Sequence, residues 1–223
     1  MKAMILAAGR GNRLQPLTNN CPKPLLPVAG RPLIAYQIEA LAAAGFTEIV
    51  INTAYKPEMF PALLGDGSQF GVSIHYSVEP EGGLETGGGI FNALDHLGDY
   101  FLVISGDLYT EYPYHTLRHP PERLAHLVLV DALPEGGDFG LKDGILSLSA
   151  ANMLTYANIG VYRRELFANC EPGFFRLANL LRPAIAQQQM TGEYFQGKWY
   201  NVGTVEIYEE LQQSLAHKSG AKS

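Results

Sequence analysis

The residues best suited to chemistry come early, in Gly9-Arg10-Gly11-Asn12-Arg13, a glycine-rich turn that follows an apolar run ending at Ala8. Gly9 and Gly11 let the backbone approach an anion closely, while N–H groups and Arg13 supply positive potential, which together suit a phosphate. A tight turn without a ligand is the plainer alternative. Two familiar phosphate loops are excluded: G-x-x-x-x-G-K-[ST] is absent, and Leu14 stands where a dinucleotide fingerprint needs its third glycine. Just downstream, Lys23 lies between Pro22 and Pro24. Fixed φ angles on both sides restrict the lysine, so its ammonium is poised to neutralise a reacting phosphoryl group. Taken alone, the same segment also fits a rigid surface loop. Asp107 follows Gly106 at the end of the apolar run Phe101–Ser105. One carboxylate at a strand terminus is a natural first ligand for Mg²⁺, which takes one or two carboxylates together with phosphates and waters. A Gly-Asp pair is also a common turn. The histidines, His75, His96, His115, His119, His126 and His217, lack metal-ligand spacing and read as surface or packing residues.

These residues need elements to hold them. Apolar runs bounded by turn residues predict strands at Ala3–Ala8, Ile49–Asn52, Val72–Ser77, Phe101–Ser105, Leu127–Val130 and Ile159–Tyr162. Helical spacing marks Pro32–Ala44, Gly88–Leu97, Phe175–Gln189 and Thr204–His217, and Pro183 predicts a kink or split in the third. Strands alternating with helices imply a mostly parallel sheet covered on both faces, with ligands beyond the carboxyl ends of the strands. Asp131 to Tyr156, punctuated by Gly136, Gly137, Gly140 and Gly144, reads as hairpins that fold over the acceptor side of the cleft.

At 223 residues and 47% apolar composition the chain can bury one full core. The expectation is a single domain over residues 1–217 with a flexible polar tail from Lys218 to Ser223. A net charge of −6 leaves no broad cationic surface, which argues against nucleic acid and an anionic membrane as partners. The apolar stretch Met1–Ala8 is too short for a signal peptide or a membrane span. Cys21 and Cys170 form no CxxC pair, so a reduced, cytoplasmic setting is expected. Monomer and homodimer both remain open.

In order along nearly the whole chain, several motifs closely resemble the nucleotidyltransferases that make sugar nucleotides. They are Leu6-Ala7-Ala8-Gly9-Arg10-Gly11-Asn12-Arg13-Leu14 with Pro16-Leu17-Thr18, Pro22-Lys23-Pro24-Leu25-Leu26-Pro27-Val28, Leu84-Glu85-Thr86-Gly87-Gly88-Gly89, Ser105-Gly106-Asp107, Asn158-Ile159-Gly160-Val161-Tyr162 and Trp199-Tyr200-Asn201-Val202-Gly203-Thr204. The resemblance implies a Rossmann-like α/β fold, a mixed, mostly parallel sheet flanked by helices with a small antiparallel lobe over the sugar side. It implies transfer of a nucleotide from a nucleoside triphosphate to a sugar 1-phosphate with release of pyrophosphate, dependent on Mg²⁺. Ala7, Ala8 and Gly9 would then lie near base and ribose, Gly11 and Arg13 near the triphosphate, and Lys23 at the α-phosphate. Glu79 and the run Glu85 to Gly89, including Gly87, would border the base and sugar pockets, and Asn158 and Gly160 would face the sugar. A glycine allowed by strand packing is the competing account of Gly160. Asp107 would hold the metal together with Asn201, where the family normally has a second carboxylate.

That departure removes an anionic metal ligand, although an amide oxygen can still bind a hard cation. A working enzyme, a slow enzyme and a nucleotide-sugar-binding sensor are all compatible with it. Within the family, chain length and the Leu84–Gly89 motif look most like the N-acetylmuramate α-1-phosphate uridylyltransferases of cell-wall recycling, which favours UTP. Mannose-1-phosphate guanylyltransferases, which use GTP, share many of the motifs, and heptose-1-phosphate transferases are a further alternative.

Overall fold

A computed structural model describes the chain from Met1 to Gly220. Its strands are β1 Lys2–Leu6, β2 Pro27–Val28, β3 Arg31–Pro32, β4 Glu48–Thr53, β5 Ser73–Val78, β6 Tyr100–Ser105, β7 Leu108–Thr110, β8 Ala125–Val130, β9 Phe139–Lys142, β10 Ile145–Ser147, β11 Met153–Arg163, β12 Met190–Tyr194 and β13 Trp199–Asn201. The α-helices are α1 Leu33–Ala43, α2 Met59–Leu64, α3 Glu85–Ala93, α4 Ala178–Ala186 and α5 Val205–Gly220.

The main sheet has the order β5-β4-β1-β6-β11-β8-β12-β10-β9. Its first half is parallel, with β1 between β4 and β6, so that Ile5 lies level with Ile51 and Ile104. The second half is mixed: β11 runs antiparallel to β6 and β8, while β12 runs parallel to β8. The segment expected as hairpins contains the β9–β10 hairpin, which extends this sheet instead of forming a separate one. Strands in the centre bury both faces, as near-continuous apolar runs require. Ala3 and Ile5 of β1 join the cluster under α1, with Ile34, Ile38 and Leu41. Met4, pointing the other way, joins the cluster under α3 and α4, with Ile90, Leu181 and Ile185.

A third cluster lies outside the sheet. Leu14, Leu26, Val28 and Leu33 pack with Val202 and with Leu211 and Leu215 of α5. The predicted helix over Phe175–Gln189 is shorter, and it runs through Pro183 as one helix without a split. The short strands β7, β12 and β13 and the six-residue α2 escape periodicity analysis, because so few residues establish no pattern. Helix α5 runs as far as Gly220, so the tail expected from Lys218 overlaps its end, and Ala221 to Ser223 lie outside the described residues.

Candidate active site

The glycine loop leaves the carboxyl end of β1 and folds back onto the Pro-Lys-Pro segment. Gly11 has φ 72°, and a Cβ there would lie 3.0 Å from Cβ of Lys23 and 3.1 Å from Cγ2 of Thr18, so its lack of a side chain permits both the turn and the close approach. The Thr18 hydroxyl donates to the Gly11 carbonyl at 2.9 Å and locks the loop. From outside, α5 clamps the far end of the Lys23 segment. Gln212 donates through Nε2 to the Pro27 carbonyl at 3.1 Å and accepts from the Ala29 N–H at 2.7 Å. Arg10 sits over the Tyr55 ring at 5.4 Å.

Lys23 reaches across the cleft floor to Asp107. Its ammonium donates to Asp107 Oδ2, and the side chains are only 14% and 16% exposed. The other oxygen, Oδ1, is buried and has no hydrogen-bond partner among the described residues. The backbone fixes Asp107 from both sides. Gly106 N–H donates to the Leu6 carbonyl at 2.8 Å, and the Asp107 carbonyl accepts from Val202 N–H at 3.0 Å. Antiparallel pairing of β13 with β7 sets Asn201 opposite Leu108, next in sequence to Asp107. No cluster of three or more His, Cys, Asp or Glu side chains suited to a metal occurs among the described residues. A buried carboxylate oxygen without a partner, an amide on the neighbouring strand and room for phosphates nevertheless fit Mg²⁺, which needs few protein ligands.

At the other end of the cleft a polar chain crosses three strand ends. Ala7 N–H donates to Asn52 Oδ1 at 2.9 Å, Asn52 Nδ2 donates to Glu79 Oε1 at 2.6 Å, and Leu84 N–H donates to Glu79 Oε2 at 2.8 Å. Glu79 is 5% exposed. Burial pushes its carboxyl above the usual carboxylate range, against the opposing pull of the bonds from Asn52 and Leu84. Gly89 packs directly on this pair, where a Cβ would come within 2.4 Å of Glu79 Oε1.

Between these ends lies a cleft of about 370 Å³. Ala7, Ala8, Gly9 and Gly11 line it from the loop, Lys23 and Asp107 from the floor, and Glu79, Glu85 and Asn158 from the far wall. Glu85 and Asn158 have φ values of 60° and 58°, a left-handed conformation that is uncommon outside glycine and that gathers at functional sites. Asn158 lies where the register between β11 and β8 shifts, between Tyr156 and Gly160, and such an irregularity re-aims a side chain.

Four expected site residues do not line the cleft. Gly87 is buried under Phe175, whose ring would lie 2.5 Å from an added Cβ. Gly160 is buried against Leu127, 2.8 Å from an added Cβ, so packing within the sheet explains this glycine. Arg13 is exposed, with its guanidinium against Gly203, and Asn201 lies on β13 opposite Leu108, the residue after Asp107. Conversely, Asn52, Gly82, Gly83 and Phe174 line the cleft without having been singled out for a site. Asn52 carried a usable signal, a polar residue closing an apolar strand at the end where ligands of such sheets bind. Phe174 carried none.

With this geometry in place, comparison with known proteins fixes the class. The chain belongs to the nucleotidyl transferase family, whose model matches residues 2–134, and it is an enzyme of the sugar-1-phosphate nucleotidyltransferase class. Among curated relatives it is 47% identical over 224 residues to an N-acetylmuramate α-1-phosphate uridylyltransferase of Neisseria meningitidis serogroup B, covering 95% of this chain and 97% of that one. It is 40% identical to a mannose-1-phosphate guanyltransferase of Schizosaccharomyces pombe over 93% of its own length, but spans only 62% of that relative. The fold matches a Bacillus anthracis structure described as a glucose-1-phosphate thymidylyltransferase, with TM-score 0.82 and 24% identity over 96% of this chain and 94% of that chain. It also matches a UDP-glucose pyrophosphorylase complexed with UDP-glucose, with TM-score 0.77 and 20% identity over 98% of this chain and all of that one. No helix among the described residues is long and apolar enough to cross a membrane.

Proposed function

We propose that the protein joins UTP to N-acetylmuramate α-1-phosphate, giving a uridine-diphospho-sugar and pyrophosphate, as a Mg²⁺-dependent cytoplasmic enzyme built as one domain over residues 1–217. The observation that carries the reading is the Lys23–Asp107 pair in one cleft with the glycine loop, with Asp107 Oδ1 left unpaired among the described residues. The similarity over nearly all of the Neisseria relative supports this sugar and base over mannose 1-phosphate and GTP.

In this reading the sugar-phosphate oxygen attacks the α-phosphorus in line with the departing pyrophosphate. A phosphate monoester is already anionic near neutral pH, so positioning and charge neutralisation dominate and no histidine base is required. Gly9 and Gly11 hold the triphosphate at the cleft, with Arg13 adding positive potential from outside its lining, and Lys23 leaves Asp107 to meet the α-phosphate. Ala7, Ala8 and Glu79 border the base, while Glu85 and Asn158 orient the sugar. Asp107 and Asn201 would hold Mg²⁺, which when bound neutralises charge on the phosphates.

The test is pyrophosphate release with UTP and GTP against N-acetylmuramate, mannose and heptose 1-phosphates, with and without Mg²⁺. Turnover confined to UTP with N-acetylmuramate α-1-phosphate is expected. Preference for GTP with mannose 1-phosphate would move the protein to the guanylyltransferases, and nucleotide binding without turnover by any pair would favour the sensor.

A further inference from the structure

Phe174 is the most exposed large apolar residue among the described residues. It is 68% exposed, yet it lines the cleft. Its position is built, not incidental. The segment Gly173-Phe174-Phe175-Arg176 is strapped to the start of α3: Phe175 N–H donates to the Leu84 carbonyl at 3.2 Å, and Gly88 N–H donates to the Phe175 carbonyl at 3.0 Å. The glycines of α3 make the strap possible. A Cβ on Gly88 would lie 2.1 Å from the Gly173 carbonyl oxygen, and one on Gly87 would strike the Phe175 ring. Phe175 also meets Phe91 edge to face, with centroids 6.3 Å apart. Arg176 faces the Glu85 carboxylate at 3.7 Å and ties the strap to the same wall. Its packed neighbours thus hold Phe174 at the cleft wall with its ring largely uncovered.

An aromatic ring held open to solvent at a cleft wall is stabilised when a ligand covers it with apolar surface. The polar chain Ala7–Asn52–Glu79 offers hydrogen bonds at the base end, whereas Phe174 offers none. We propose that Phe174 is a specificity residue for the sugar 1-phosphate, receiving the methyl-bearing acyl and ether substituents of an N-acylated amino sugar. Plain hexose 1-phosphates, which carry only hydroxyls in those places, gain nothing from it. The inference rests on the substrate reading above and concerns which side chain makes the choice.

The test is steady-state kinetics of Phe174→Ala and Phe174→Leu, with thermal melting as the folding control. In Phe174→Ala, KM for N-acetylmuramate α-1-phosphate should rise about tenfold, and preference over mannose 1-phosphate should fall about tenfold, as expected for a few apolar groups in a specificity pocket. KM for UTP and the melting temperature should stay unchanged, and Phe174→Leu should retain most of the selectivity. An unchanged sugar KM overturns the proposal. A rise in UTP KM alone puts the ring on the base and overturns it too, and a common loss with both substrates and a lowered melting point makes the strap merely structural. If the wild type turns over a different sugar 1-phosphate, the substrate reading fails by itself. Phe174 is then judged with that substrate where it is N-acylated, and no change in its KM overturns the assignment, whereas a wild type that prefers a plain hexose 1-phosphate overturns it outright.

Discussion

Replacing Lys23 with alanine strands a carboxylate. Asp107 is 16% exposed, its Oδ1 has no hydrogen-bond partner among the described residues, and Lys23 is the cation that meets its Oδ2. Removing one member of a largely buried ion pair costs about 3 kcal/mol, because the remaining charge keeps its desolvation penalty and loses its attraction. For a chain of this length that lowers the melting temperature by about 6–12 °C. Turnover should fall more steeply, by about 10²–10³-fold, as when a preorganised charge is removed from a developing anion. The decisive comparison is the double variant Lys23→Ala with Asp107→Asn, assayed by melting and by pyrophosphate release. Neutralising residue 107 removes the stranded charge, so most of the lost stability should return while activity stays low. A single variant that melts with the wild type, or a double variant that melts lower than the single, would refute the reasoning that Lys23 is the buried counter-charge of Asp107.

Glu79→Gln should alter how stability depends on pH. The folded-state carboxyl is raised above its ordinary 4.5, so the native state holds that proton more tightly than the unfolded chain. Its contribution is present below 4.5 and is lost as pH rises through the raised folded value. Melting curves across that window should show a decline in the wild type that is flattened in Glu79→Gln, and identical profiles would argue against burial as the cause. Gly89→Ala pushes a methyl into the Glu79–Asn52 pair and should cost about 1–3 kcal/mol by overpacking, with a raised KM for the nucleotide in the same kinetic assay. Asn201→Asp adds a second carboxylate beside Asp107 and should lower the Mg²⁺ concentration needed for half-maximal activity. An unchanged metal titration would mean that residue 201 does not contact the metal.

What the sequence determined alone is what short stretches of chain can encode. The glycine loop, the proline-flanked lysine and the carboxylate after β6 are local patterns whose chemistry follows from residue type and spacing, and their order along the chain was enough for the family. The alternation of apolar runs likewise determined an α/β sheet with its cleft at the strand ends. Tertiary structure decided which of several chemically able residues meet. Asn52 joins Ala7 to Glu79 only because β4 lies beside β1 and β5, and Asn201 comes opposite Leu108, next to Asp107 in the chain, only because β13 pairs with β7. Gly87 and Gly160, read as lining a pocket, are small because Phe175 and Leu127 press on them from distant parts of the chain. A missing side chain serves a ligand and a packing neighbour in the same way, by giving up volume, so only the neighbour's position in space reveals which of the two is there.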